Sequence, residues 1–202
     1  MSFFPPDPEM PEPDESEQER QPSWQAPEDE LPVLLAVSET LAANDHLALG
    51  LFGVAVYSDG VEFRIEGRLR RNGMPAREWS DLCADFVGHS PMGGPMPTAG
   101  RLRFGLVLGD GEKVLTEWFP FSGGSDPSLE PRGHTLARNS SGASGGGQTF
   151  SSSERLWLNP LPPEGPIEFV MQWPALGVEE RSVVLDGSAM RALVPRVQRF
   201  WS

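Results

Sequence analysis

Gly142-Ala143-Ser144-Gly145-Gly146 carries the letters of a nucleophile elbow, in which a serine on a strained strand-to-helix turn attacks an acyl carbon. That chemistry depends on the strained turn, and here the serine stands in a Gly/Ser-rich run with no such context. The stretch Ser140 to Gly147 could cradle an anion with its backbone N–H groups, yet it lacks the Gly-Lys-Ser/Thr ending of a phosphate loop. A flexible linker explains both patterns. His46, His89 and His134 fall in three separate loops, with no Cys pair and no His-x-x-x-His spacing to support a metal. Cys83 lies on an apolar stripe and reads as a small buried hydrophobe rather than a nucleophile. Asp59 and Asp110 each precede a glycine in a turn, where a structural role accounts for them. No catalytic, cofactor-binding or metal-ligating residue is assigned, and no cofactor is expected.

Aromatic residues are more suggestive. Trp118, Trp157 and Trp173 would stack on a sugar or another flat ligand if they shared an exposed sheet face. Trp173 is in phase with Ile167, Phe169 and Met171 and belongs to a core; apolar neighbours draw Trp118 and Trp157 the same way. Phe3, Phe4 and Trp24 stand in an acidic, proline-rich setting from which aromatics dock onto a partner on folding. Phe3, Phe4, Trp24, Trp118, Trp157 and His134 are the candidate ligand or partner contacts. Pro160-Leu161-Pro162-Pro163 has the spacing of a polyproline ligand, although a turn joining two strands explains it as well.

The elements that must position these residues follow from composition and periodicity. The chain has 202 residues, 38% of them apolar and 9% aromatic, enough for one domain with a core. The first thirty residues hold ten acids against the single Arg20, which is nine of the thirteen net negative charges, and seven prolines. They read as a disordered acidic tail (1–30) ahead of one β-rich domain (31–202). A pI near 4.6 argues against nucleic acid and anionic membranes, because phosphate affinity rests on Lys and Arg. There is no basic n-region with an apolar h-region, no apolar run of membrane-spanning length and no second cysteine, so the expectation is a cytoplasmic protein. Arginine supplies fifteen of the sixteen basic residues and isoleucine occurs twice, a bias that points to a GC-rich bacterial genome.

Short apolar runs punctuated by Gly, Asp and Asn predict antiparallel strands over Leu31 to Leu41 and His46 to Tyr57. Val61, Phe63, Ile65, Gly67 and Leu69 alternate with Glu62, Arg64, Glu66, Arg68 and Arg70, the period of a strand with one buried and one wet face. Trp79, Leu82, Cys83, Phe86 and Val87 recur at helical spacing between Pro75 and Gly88. Leu102 to Leu108 and Val114 to Phe119 form a second hairpin pattern around Asp110-Gly111. Residues 120–153 read as a long flexible Gly/Ser loop. Strands resume at Arg155 to Leu158, Ile167 to Trp173 and Arg181 to Leu185, and Met190, Leu193, Val194, Val197 and Phe200 predict a terminal helix capped by Ser188 and kinked at Pro195. The fold class is mainly β: an antiparallel β-sandwich or curled sheet with one or two helices, including a C-terminal helix.

The segment Trp157 to Ala175, with its Leu-Pro-Pro-x-Gly-Pro core, its preceding glycine run and the following Leu185-Asp186, resembles a pattern in an uncharacterised actinobacterial protein family of unknown function. Leu102-Arg103-Phe104-Gly105 with the Asp110-Gly111 turn belongs to the same resemblance, which covers about residues 101 to 201 and implies a bacterial, cytoplasmic protein without implying an activity. The functional expectation is a noncatalytic protein-interaction module whose partner is another protein. Its alternatives are a carbohydrate or small-ligand binding β-sandwich and an enzyme whose site is assembled from separate loops.

Overall fold

The structure, a computed structural model, describes residues 24–88, 100–117 and 133–201. The period-two stretch from Val61 forms β5 (Val61–Arg70), an interior strand of a sheet whose strands are β2 (Val33–Leu35), β3 (Glu39–Ala43), β4 (Leu47–Val56), β5, β6 (Arg103–Val107), β7 (Lys113–Glu117), β8 (Thr135–Gly145), β9 (Thr149–Asn159), β10 (Pro166–Trp173) and β11 (Val178–Asp186). The order is β11-β10-β6-β7-β8-β9-β5-β4-β2, with β3 paired to the first half of β4, and the sheet curls into a half-barrel. Neighbours are antiparallel except β7 and β8, which meet in parallel at Thr116↔Leu136 and Glu117↔Ala137. Asn44 Nδ2 donates to Leu176 O at 2.9 Å and draws the two ends of the curl together. A separate two-stranded sheet joins β1 (Glu30–Leu31) to β12 (Gln198–Arg199).

Inside the curl, Phe63, Ile65, Leu156, Leu158, Phe169 and Trp173 are fully buried, and the Phe169 ring meets Phe63 and Phe104 at centroid distances of 5.5 and 5.9 Å. Helix α1 (Ala76–Phe86) lays Trp79, Leu82 and Phe86 onto this face. Phe86 lies over Gly67, where a Cβ would stand 1.9 Å from the ring, so β5 carries a glycine because an aromatic occupies the side-chain position. The two Asp-Gly turns use glycine differently. Gly111 adopts φ 87°, which the turn geometry demands, whereas a Cβ on Gly60 would stand 2.5 Å from both Leu158 O and the Trp157 ring.

A buried ion pair joins two described strands of the curl. Arg138 on β8 and Glu154 on β9 meet at Nε–Oε2 3.1 Å, with side chains 5% and 1% exposed. Ser152 Oγ donates to the other carboxylate oxygen at 2.7 Å, Arg138 Nη2 donates to Phe86 O at the end of α1 at 2.7 Å, and the guanidinium lies 5.4 Å over the Phe104 ring. A buried pair with its remaining donors and acceptors engaged is tolerable; half of one is not.

Several sequence expectations are corrected. The predicted loop 120–153 is, from Thr135 onward, the hairpin β8–β9, in register from Thr135↔Asn159 to Gly145↔Phe150 around a bulge at Ser140/Gly142. Serine and glycine are poor strand formers alone, but Leu136, Leu156 and Leu158, the Arg138–Glu154 pair and the β5 pairing of β9 supply the tertiary energy. The terminal helix α2 (Gly187–Leu193) stops short of Phe200. Pro195 cannot continue it, so the chain makes a 3-10 turn over Val194–Arg196 and enters β12. Its N-cap is Asp186, whose Oδ1 accepts from Ser188 N and Ala189 N at 2.9 and 3.2 Å, while Ser188 Oγ accepts from Gly165 N. The predicted tail overlaps placed residues, since Trp24 and Ala26 pack on the sheet and Glu30 is buried in β1. The curled form of the mainly β fold and its C-terminal helix are as expected.

Arg138→Met or Glu154→Gln alone will lower unfolding free energy by about 3–5 kcal/mol, because each leaves one buried charge without its counterion. The double variant Arg138→Met/Glu154→Met will lose less than either single variant. Urea denaturation of the four proteins as a double-mutant cycle measures both outcomes.

Candidate functional site

The outward face of the sheet is ordered in rows by strand register. Across β4, β5, β9 and β8 these rows are Ala55–Glu62–Trp157–Ala137, Gly53–Arg64–Arg155–Asn139, Gly50–Glu66–Ser153–Gly142 and Ala48–Arg68–Ser151–Ser144. At the first row Tyr57 packs edge-on against Trp157 at 5.3 Å, and Trp24 and Ala26 cover both, so Trp157 is only 1% exposed. Trp157, a candidate contact whose apolar neighbours drew it toward a core, is the centre of a small second core, because Trp24 returns over it. Trp173 is likewise buried, whereas Phe3, Phe4, Trp118 and His89 lie outside the described residues.

The middle rows are ion-paired along the strand. Arg64 Nε donates to Glu62 at 3.1 Å, with Arg155 3.7 Å away on the same carboxylate, and Arg68 Nη1 donates to Glu66 at 2.7 Å. Burial pushes the Glu66 carboxyl up, but the Ser153 hydroxyl and the Arg68 guanidinium both donate to it and hold it below its ordinary value. The last row opens into a cleft of about 550 Å³ lined by Asp45, His46, Ala48, Arg68, Arg70, Ser144, Thr149 and Ser151. His46 Nδ1 sits 3.1 Å from Arg70 O; a carbonyl only accepts, so Nδ1 donates, which in the neutral imidazole makes Nε2 the acceptor. The signal for this cleft was in the sequence, as the basic end of the Glu/Arg alternation on β5. What joined it to Ser144 and Ser151 was the unforeseen hairpin.

The β8–β9 hairpin also leaves an edge. β7 reaches β8 only as far as Ala137, and beyond it, among the described residues, no strand pairs with the other side of β8 up to Gly145. Ser141 to Gly145 are exposed and carry only Ser, Gly and Ala side chains.

His134 pairs with a carboxylate, the arrangement a general base requires. Nδ1 lies 2.6 Å from Glu112 Oε2, yet Nε2 is turned onto Leu161 O at 3.4 Å, so the ring ties the β6–β7 turn to the proline-rich connection. Burial pushes the Cys83 thiol up to about 11, which leaves almost no thiolate at neutral pH. Among the described residues no three His, Cys, Asp or Glu side chains gather to hold a metal, and no helix is long and apolar enough to cross a membrane.

Near the second core, buried Glu30 accepts from Ser58 N and Ser58 Oγ at 2.9 and 2.6 Å. Burial, with the Glu30 charge beside it, raises the Asp59 carboxyl above its ordinary value. The native state therefore holds more protons than the unfolded chain over a window that opens near the ordinary Asp value of about 3.9 and extends upward, and stability falls as pH rises through it. Asp59→Asn will remove that fall. Its midpoint of thermal unfolding will match the parent below the window and exceed it above, as read by melts across the acid range. Ser153→Ala works in the opposite sense, because Glu66 stabilises above its unfolded value and loses that contribution as pH falls.

No protein-family model matches the chain, and neither does any curated protein or solved structure.

Proposed function

We propose that this chain is a noncatalytic protein-interaction module of a cytoplasmic bacterial protein, and that its docking element is the free edge of β8. One observation carries the reading: from Arg138 to Gly145 a long strand presents backbone N–H and C=O groups with no strand against them among the described residues. Natural sheets protect such edges with lysine, proline or a covering element, because an open edge accepts any extended chain. Between Asn139 and Gly145 this edge has none of those side chains, only a bulge at Ser140/Gly142. An extended segment of another protein would add as a strand here, with backbone hydrogen bonds giving affinity and the small side chains admitting close approach.

The Arg138–Glu154 pair supports this use, since it holds the hairpin in one register and the strand is ordered before a partner arrives. The buried positions of Trp157 and Trp173 remove two of the three aromatic platforms that a sugar-binding reading rests on.

The test is selection of displayed random peptides on the full chain, followed by amide hydrogen exchange of the complex. Slowed exchange at positions within 138–145 is expected, together with a loss of about tenfold or more in affinity on Asn139→Lys/Ser141→Lys, which places two charges on the edge. Protection confined to other segments, or undiminished binding by the lysine variant, overturns the reading.

A further inference from the structure

We propose that the cleft at the end of β4, β5, β9 and β8 is a second, separate site, one that binds a small hydroxylated or aminated organic oxyanion carrying a phosphate or a pair of carboxylates. At about 550 Å³ it falls within the range of small-molecule sites. Its floor is built by register: Ala48, Arg68, Ser151 and Ser144 stand side by side across four strands, and Ala48 leaves the space that a larger residue would fill.

The charge is placed for an anion. Arg68 and Arg70 lie two residues apart on one strand and point to the same face, about 7 Å from each other. Each is held by one nitrogen. Arg68 Nη1 is anchored to Glu66 and Gly67 O, and Arg70 Nε to Asp45 O at 3.2 Å. Their other donors have no partner among the described residues, so two guanidinium groups are oriented in advance while most of their N–H groups remain for a ligand. Thr149 stands beside Arg70 across β5 and β9, the Ser144 and Ser151 hydroxyls meet at 3.1 Å, and His46 lines the β4 side with Nε2 as the acceptor of its neutral imidazole.

Asp45 is the one carboxylate in the lining, and it defines the ligand further. A plain inorganic anion gains from the arginines and is repelled by Asp45. A ligand with a hydroxyl or ammonium group beside its anionic end lets Asp45 and His46 Nε2 accept hydrogen bonds, and so is preferred. The site shares only Ser144 and Gly145 with the β8 edge, and its occupancy does not depend on strand addition.

The test uses the full ¹⁵N-labelled chain at low salt, titrated separately with inorganic phosphate, O-phosphoserine and citrate to about 10 mM, a range that detects millimolar dissociation constants. Shifts are expected at the amides of Ala48, Arg68 to Arg70, Ser144, Gly145 and Thr149 to Ser151. Either organic anion should bind more tightly than phosphate, and whichever binds tighter identifies the anionic group. Arg70→Gln should weaken binding about tenfold. Ala48→Phe, which fills the floor without changing charge, should abolish it, and Arg199→Gln on β12, which pairs with β1 near the Ser58 end of β4, should leave it unchanged. Both cleft variants should retain peptide binding at the β8 edge, which separates failure of this site from failure of that reading. No shift with any of the three anions, shifts scattered over all exposed arginines, or binding that survives both cleft variants would overturn the proposal.

Discussion

The Arg138–Glu154 pair is the interaction on which the unusual half of this sheet depends. Between Leu156 and Phe150, the inward positions of β9 are taken by Glu154 and Ser152, and beyond Leu136 that of β8 by Arg138. Buried charges would ordinarily oppose such an arrangement. Here the carboxylate accepts from a guanidinium and a hydroxyl, and the guanidinium also reaches the carbonyl of Phe86, at the end of α1 where helix carbonyls lack partners. One polar cluster thereby ties two strands to the helix that fills the curl. A one-residue slip of the hairpin would turn every one of these groups to the wrong face, so the cluster specifies register where serine and glycine side chains cannot.

The two proposed sites share a cause in the small side chains of that hairpin. Serine and glycine bury little area and offer no bulk, so they neither cover the edge of β8 nor fill the end of the outward face. On β4 the same face carries Ala48, Gly50 and Gly53, which leaves the arginines of β5 standing above a low floor. At the opposite end of that face the chain does the reverse: Trp24 closes over Trp157 and Tyr57 and removes an aromatic surface from solvent. A single sheet thus has one end sealed by aromatics and one left open and basic.

Much of the scaffold was legible along the chain. β5 was evident because a strand with one dry and one wet face must alternate, and α1 because Trp79, Leu82 and Phe86 recur at the helical period between Pro75 and Gly88. β10 and β11 were foreseen as the runs Ile167 to Trp173 and Arg181 to Leu185. Apart from Arg155 to Leu158, the hairpin at 135–159 was not legible, since its serines and glycines carry no periodicity and their energy comes from pairing with β5 and from the buried ion pair. The end of α2 was misjudged because Val194, Val197 and Phe200 keep helical spacing in a segment where Pro195 forbids the helix.

The sequence by itself determined the mainly β class, the amphipathic helix, the turns at Asp59-Gly60 and Asp110-Gly111, and the charged face of β5, all of which rest on interactions between residues near one another in the chain. Tertiary structure alone decided that Trp157 is covered, that Arg138 meets Glu154, that Ser144 and Ser151 lie beside Arg68, and that among the described residues no strand pairs with β8 beyond Ala137 on the side away from β9. Those outcomes depend on strand order and register over separations of sixteen to more than a hundred residues. Such pairings are chosen by the burial and charge balance of the whole sheet, which no local pattern encodes.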